Sequence, residues 1–285
     1  MLIDKDNNNS QDKIFKPDFS SKSGRELLAF YLQTKFRHIY LHDKKQPVPV
    51  ITSVNPDFIN RFSRRLIDNP TKRLLIGVTG ESASGKSTIC REIKSVIEQL
   101  SMPVTVLSTD NYFNDISKLI QKYGTFDNLR DNGYDVDAPS SFQLDILSAD
   151  LQDLSDGLDI KAPMYLPNGT GVSVPKALDI KSRKIIVVEG IATMYEGVKD
   201  IFDIKIYVET ENELRKQRFI DRAIEERNQS EENALKHWHY ITDAGEKYVK
   251  PFKKEADLVL NGNSDLNYFA QILEYIYAVT NNFEQ

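Results

Sequence analysis

Gly80-Glu81-Ser82-Ala83-Ser84-Gly85-Lys86-Ser87, followed by Thr88, reads GxxxxGKS. The run ahead of it, Leu74-Leu75-Ile76-Gly77-Val78, has the length and branching of a buried strand. Behind it, Ile89, Ile93, Val96, Ile97 and Leu100 recur at helical spacing. Strand, glycine-bearing turn and helix in that order make a phosphate-binding loop. A small polyanion is best held by backbone N–H groups converging in a concave turn at a helix N-terminus. Gly80 and Gly85 let the backbone come close, and Ser82, Ala83, Ser84 and Thr88 complete the nucleotide-binding candidates. Lys86 is spaced to reach the β and γ phosphates, and the Ser87 hydroxyl to ligate the Mg²⁺ that bridges them.

Outward from the loop, further short apolar segments run from Val104 to Leu107, Ile185 to Val188, Ile204 to Val208 and Leu258 to Leu260. With the run before the loop they predict five buried strands alternating with helical stretches, an α/β fold with a mostly parallel sheet. Leu266, Phe269, Ile272, Leu273 and Ile276 predict a C-terminal helix. Residues 1–22 lack apolar periodicity and read as a disordered tail. Residues 23–70 read as a helical extension, and residues 71–285 as the main domain. Within the extension, Leu27, Leu28, Tyr31, Leu32 and Phe36 suit one helix. A second is expected to start with Asn55 as cap and Pro56 at its first position, burying Phe58, Phe62 and Leu66. Gln46-Pro47-Val48-Pro49-Val50 between them reads as an extended connector.

The 285 residues are 40% hydrophobic and 28% charged, enough for one substantial core with an appendage. No apolar run is long enough to cross a bilayer, and the first twenty residues are too polar for a signal peptide, so a cytoplasmic location is expected. A single cysteine, Cys90, rules out an internal disulfide framework and reads as a small buried residue. Residues 1–73 carry 14 Lys and Arg against 8 Asp and Glu, a surplus of six, while the whole chain is at −5; the remainder is therefore at −11. Without interleaved aromatic and basic residues, that asymmetry fits a basic appendage on an acidic body better than a nucleic-acid partner. His237 and His239 flank Trp238 with no metal-ligand spacing and read as packing or surface residues.

Parallel α/β sheets bind ligands at the carboxyl ends of their strands, so the residues just past each strand carry the chemistry. After Val104 to Leu107 comes Ser108-Thr109-Asp110-Asn111-Tyr112-Phe113. Asp110 is the candidate general base for a substrate hydroxyl and a second candidate for orienting Mg²⁺, against the alternative of a turn-capping aspartate. Glu189 ends an all-apolar strand, a costly place for an acid without a partner, and Mg²⁺ is the expected partner. Arg215, Arg218 and Arg222 share one helical face and Arg227 ends the segment. The stripe is expected to close over a triphosphate, with pairing to Glu211, Glu225 and Glu226 on a solvated face as the alternative.

The ordered set GESASGKST, STDNYF at 108–113, DAPSSFQLDIL at 137–147, VVEGI at 187–191, YVETENELRKQRFIDRAIEER at 207–227 and YVKPFKKEADLVL at 248–260 resembles the uridine kinases and their relatives, phosphoribulokinase and bacterial pantothenate kinase. The resemblance covers roughly residues 73 to 262. It implies a three-layer α/β/α P-loop kinase with a small lid, which takes ATP with Mg²⁺ and a small hydroxyl-bearing metabolite. Asp110 matches the family's base, Glu189 its second acid, Arg222 and Arg227 its lid arginines, and Asp137 the aspartate that holds ribose hydroxyls, against the alternative of a helix-capping aspartate before Ala138-Pro139. Tyr112 and Tyr134 are expected on the acceptor side with Asp137. Homo-oligomerisation is left open. Two segments depart from the family: Met164 to Gly171 replaces a Thr-His-Ser-Arg segment at the nucleobase, and Asn228-Gln229 stands where a further arginine is expected. The loop alone also fits a regulatory nucleotide switch or ATPase, or a catalytically silent scaffold.

Overall fold

A computed structural model describes residues 21–69, 72–99, 103–166, 169–226 and 229–263. The order of elements is α1 (Lys22–Asp43), β1 (Ile51–Val54), α2 (Phe58–Asp68), β2 (Leu74–Thr79), α3 (Lys86–Gln99), β3 (Val104–Ser108), α4 (Ser117–Tyr123), α5 (Phe126–Asp131), α6 (Leu144–Ser155), β4 (Ile160–Tyr165), β5 (Ser173–Ile180), β6 (Ile185–Glu189), β7 (Ile204–Glu209), α7 (Asn212–Glu225), α8 (Glu231–Ala244) and β8 (Leu258–Asn261). The C-terminal helix expected around Leu266 to Ile276, residues 1–20 of the tail and Arg227 lie outside the described residues; the tail's last two residues belong to α1, which Lys22 opens and Ser21 caps by accepting from Gly24 N–H at 3.0 Å.

Six strands form the main sheet in the order β1-β8-β7-β2-β6-β3. All neighbours are parallel except β1, which runs antiparallel along β8. Every residue of β2 is buried, as expected of a central strand covered on both faces. Its side chains alternate between two cores. Leu74, Ile76 and Val78 join Ile89, Ile93 and Ile97 of α3 and Phe36, Phe58 and Phe62 of α1 and α2. Leu75 points the other way, to Leu147, Leu151 and Leu154 of α6 and to Ile160 and Ala162 of β4. The result is three layers, α/β/α.

The five expected strands form, and the sheet gains a sixth from the extension. Asp43, fully buried at the end of α1, accepts from the backbone N–H of Val50 at 3.0 Å and of Ile51 at 2.9 Å. That double cap holds the chain where the proline-containing connector ends and β1 begins. The edge strand is tied on by Thr52, whose hydroxyl donates to Glu209 Oε1 at 2.5 Å, and the basic extension meets the acidic body through Arg61–Asp257 and Arg65–Asp203. Helix α2 begins at Phe58 rather than Pro56. The Asn55 carboxamide accepts from Asp57 N–H at 3.0 Å, closing a turn before the helix instead of capping it. Phe58 and Phe62 are buried and Phe36 joins them, while Leu27 and Tyr31 are exposed. A second sheet, the antiparallel pair β4 and β5, carries the segment from Met164 onward. Pro163 and Pro175 obscure the strand pattern of that hairpin, and the register shifts between Ala162 and Met164.

Candidate active site

The loops after β2, β3, β6, β7 and β8 all open at one end of the sheet. In register, Glu189 of β6 stands between Val78 of β2 and Ser108 of β3, so the phosphate loop, Glu189 and Asp110 lie side by side. The loop backbone is shaped for close approach. Gly80 sits at φ +149°, and a side chain there would put its first carbon 2.3 Å from Val208 O and 2.7 Å from Ser84 Oγ. Ala83 also adopts positive φ, a backbone cost concentrated at ligand-gripping loops. Lys86 Nζ donates to Gly80 O at 2.8 Å and Glu81 O at 3.0 Å, inside the loop it belongs to. Burial holds its pKa below the ordinary lysine value, against the charges of Glu189, Asp110 and Asp137, which pull it up.

Ser87 Oγ donates to Glu189 Oε2 at 3.1 Å. Among the described residues no group of three or more His, Cys, Asp or Glu could hold a metal. A hydroxyl and a carboxylate in contact beside a polyanion cradle are nevertheless the donor set Mg²⁺ needs, since it takes one or two protein oxygens and completes its shell with phosphates and water. Among the described residues the buried Ser84 hydroxyl in the loop has no hydrogen-bond partner, which leaves a polar atom that could meet a ligand's oxygens. Thr88, one residue on, is exposed and its hydroxyl accepts from Arg91 at 3.2 Å, on the outer side of the helix.

Asp110 follows β3 in a short 3₁₀ turn capped by Ser108. Solvent reaches its side chain from the mouth of the site while protein crowds it elsewhere. Desolvation, then Glu189, raises its carboxyl to about 6, offset in part by Lys86. Asp137 is likewise raised, first by desolvation, with Arg130 and Lys86 opposing. Lys86 and Asp137 thus bear on each other's charge although 51 residues separate them in sequence. Asp137 opens onto a cavity of about 320 Å³ lined by Arg130, Tyr134, Asp135, Tyr240 and Lys247 among others. One wall is a polar seam between α5 and α8: His237 Nε2 lies 2.6 Å from Asp127 Oδ1, Tyr240 donates its hydroxyl to Asp131, and the Arg130 guanidinium lies 5.6 Å from the Tyr240 ring. His237 is thus a hydrogen-bonded member of this seam.

Three expectations need correcting or narrowing. Tyr112 does not face an acceptor: it is 0% exposed in the core beneath α6, and its hydroxyl donates to Asp150 Oδ2 at 2.8 Å. Aromatic character at a strand end reads the same whether the ring turns to a ligand or to the core. Tyr134, by contrast, lines the cavity with Asp137. Arg215 leaves the arginine stripe, because Phe219 and Ala223 share its four-residue spacing and draw that edge of α7 into the body. Its Nη1 donates to Glu81 Oε1 at 2.7 Å. Arg218 remains by the loop: its Nη1 lies 3.8 Å from where a Gly85 side chain would begin, and it donates to Gly262 O at 3.4 Å and Asn263 Oδ1 at 3.3 Å. Arg222 is exposed one turn further on, its Nε donating to Arg218 O at 3.3 Å. Glu81 fills an unspecified position of the loop motif and the seam residues Arg130, Asp127 and Tyr240 carried no motif, so only their meeting in space picks them out.

The sequence profile of the Phosphoribulokinase / Uridine kinase family matches residues 75–267 of the chain. Uridine kinase of Staphylococcus aureus (strain JH9) is 32% identical over 188 residues, which are 65% of this chain and 86% of that protein. Phosphoribulokinase from Rhodobacter spheroides superposes with a TM-score of 0.56 at 12% identity, covering 75% of this chain and 99% of that one, a likeness of fold.

Proposed function

Because the chain belongs to the phosphoribulokinase / uridine kinase family and is thus a phosphotransferase with hydroxyl acceptors, we propose that it moves the terminal phosphoryl group of ATP to a hydroxyl of a nucleoside, sugar or related polyol. The observation that carries this reading is the alignment of three strand ends: the phosphate loop, Glu189 and Asp110 adjoin, with the Asp137 cavity next to them.

In this reading the loop amides from Gly80 to Ser87 gather the phosphates and Lys86 swings from the loop carbonyls to their outer oxygens. Ser87 and Glu189 would hold Mg²⁺, which when bound would offset negative charge on the phosphates. Arg218 and Arg222 bring planar forks to the transferred group. Asp137 accepts two hydrogen bonds from a vicinal diol, which seats the acceptor with one hydroxyl toward Asp110. Asp110 takes the proton as that hydroxyl attacks; its raised pKa makes it a better base than an ordinary aspartate while leaving it ionised at neutral pH.

The reading is tested by following ADP release from MgATP with nucleosides, pentoses, pentose phosphates, glycerate and pantothenate as acceptors. Acceptor-dependent release that falls more than about a hundredfold in Lys86→Ala is the expected result. ADP release indifferent to every acceptor would favour a nucleotide switch, and unimpaired turnover in Lys86→Ala would overturn the mechanism.

A further inference from the structure

Glu81 is an acid in a loop built to gather negative charge, where an exposed carboxylate would repel phosphate. Its side chain turns away from the loop's concave side and is buried. Three elements meet on it, and a further ring packs on its partner. Arg215 of α7 donates to Oε1 at 2.7 Å, and the Tyr207 hydroxyl of β7 donates to Oε2 at 3.4 Å. The Arg215 guanidinium lies 5.4 Å from the ring of Trp238 on α8. At Gly245, where α8 passes into a π-helical turn, a side chain would begin 3.3 Å from Oε1.

The arginine does more than neutralise the acid. It is 3% exposed, and its Nε donates to Ser82 O at 3.0 Å, so one guanidinium holds both the side chain of residue 81 and the backbone of residue 82. From the other side Lys86 donates to Glu81 O. The Glu81–Ser82 segment is thus gripped in front by the phosphate-reaching lysine and behind by α7. A buried ion pair is poor stability value against well-packed apolar residues of the same volume, but it is directional. It fixes the roll of α7 about its axis, and Arg218, one turn further along, stands at the loop opening.

We propose that Glu81 is a positioning residue: through Arg215 it locks the phosphate loop and α7 in register, so that Arg218 is already aimed at the phosphates when the nucleotide binds. This rests on the reading of the loop as a nucleotide site but not on any acceptor. Glu81 touches no substrate; its effect is transmitted by Arg215 to Ser82 and Arg218.

The test is a double-mutant cycle on MgATP affinity, measured by titration calorimetry beside melting temperatures, for wild type, Glu81→Gln, Arg218→Ala and the combination. Each single change is expected to weaken MgATP about tenfold, and the double to lie within about twofold of the weaker single, because Arg218 without its aim has little left to lose. Arg215→Lys keeps the charge but loses the fork and should reproduce Glu81→Gln; it takes that place in the cycle if Glu81→Gln melts below the assay temperature. Multiplying effects, near a hundredfold in the double, or wild-type affinity in Glu81→Gln, would overturn the proposal. MgATP binding without turnover on any acceptor would count against the kinase reading and leave this coupling measurable, whereas a wild-type chain that fails to bind MgATP would overturn both.

Discussion

Asp110, the base of the proposed function, has a carboxyl whose environment costs the fold something. Its carboxyl ionises at about 6 in the folded chain against 3.8 for an unhindered aspartate. Between those values the folded state binds more protons than the unfolded one, so raising the pH through this window lowers stability; above 6 the loss is complete, and below 3.8 it vanishes. In the metal- and nucleotide-free protein, Asp110→Asn should therefore melt higher than wild type at pH 7.5, with the gap closing toward pH 4, while phosphoryl transfer collapses. An equal melting temperature at all pH values would mean the carboxyl is not desolvated. Gly190 makes a second single-residue case. It sits at φ +132°, and a side chain would begin 1.9 Å from Thr109 Oγ1, on the residue just before Asp110. Gly190→Ala should cost at least about 2–3 kcal/mol from backbone strain and overpacking, read by urea unfolding. The displaced turn should lose activity beyond what that loss of stability explains.

At the scale of elements, the N-terminal extension is part of the sheet. Helix α2 is pinned to the body where Arg65 meets Asp203 beneath the start of β2; Asp203 also accepts from Leu75 N–H at 2.9 Å. Burial raises the Asp203 carboxyl and Arg65 opposes that rise, so removal of the arginine would leave an uncompensated buried charge. Arg65→Ala should destabilise by about 3–5 kcal/mol, whereas Arg65→Ala with Asp203→Asn should recover part of the loss, since the penalty lies in the orphaned charge. Chemical denaturation of the three proteins reads the difference. Strand β1 covers the edge of β8, an exposed hydrogen-bonding row that other chains would otherwise pair with. A strand of four residues, two of them Thr and Ser, has no pattern of its own; its existence depends on Asp43 and on an edge to join.

For the whole molecule, the proposed function draws on the loop, Glu189, the β8 turn and α7 together, so nucleotide binding there should stabilise the fold as a unit. At MgATP a hundredfold above its dissociation constant, mass action adds about 2.7 kcal/mol. For a domain of this size that is a rise of several degrees in melting temperature, about 2–4 °C per kcal/mol. Lys86→Ala should abolish the shift while leaving the melting temperature without nucleotide nearly unchanged or higher, given that burial already disfavours the lysine's charge. A shift that survives in Lys86→Ala would place the nucleotide elsewhere on the molecule.

The amino-acid sequence alone settled those features that depend on neighbours along the chain. The glycine-bearing turn between an apolar run and a helix, five buried strands, and acids at the ends of two of them are local patterns with local physical causes, and residues 73–262 carry them in the order of a known family. Tertiary structure decided what depends on which way a side chain turns and what it meets. A four-residue spacing shared with Phe219 and Ala223 drew Arg215 into the body, Tyr112 went to the core and Tyr134 to the cavity, and an acid at the end of α1 made a strand of Ile51–Val54. Periodicity fixes the faces of a helix relative to one another, but only packing chooses which of them is buried. A buried pair such as Glu81 and Arg215, 134 residues apart, has no trace in either of its own neighbourhoods.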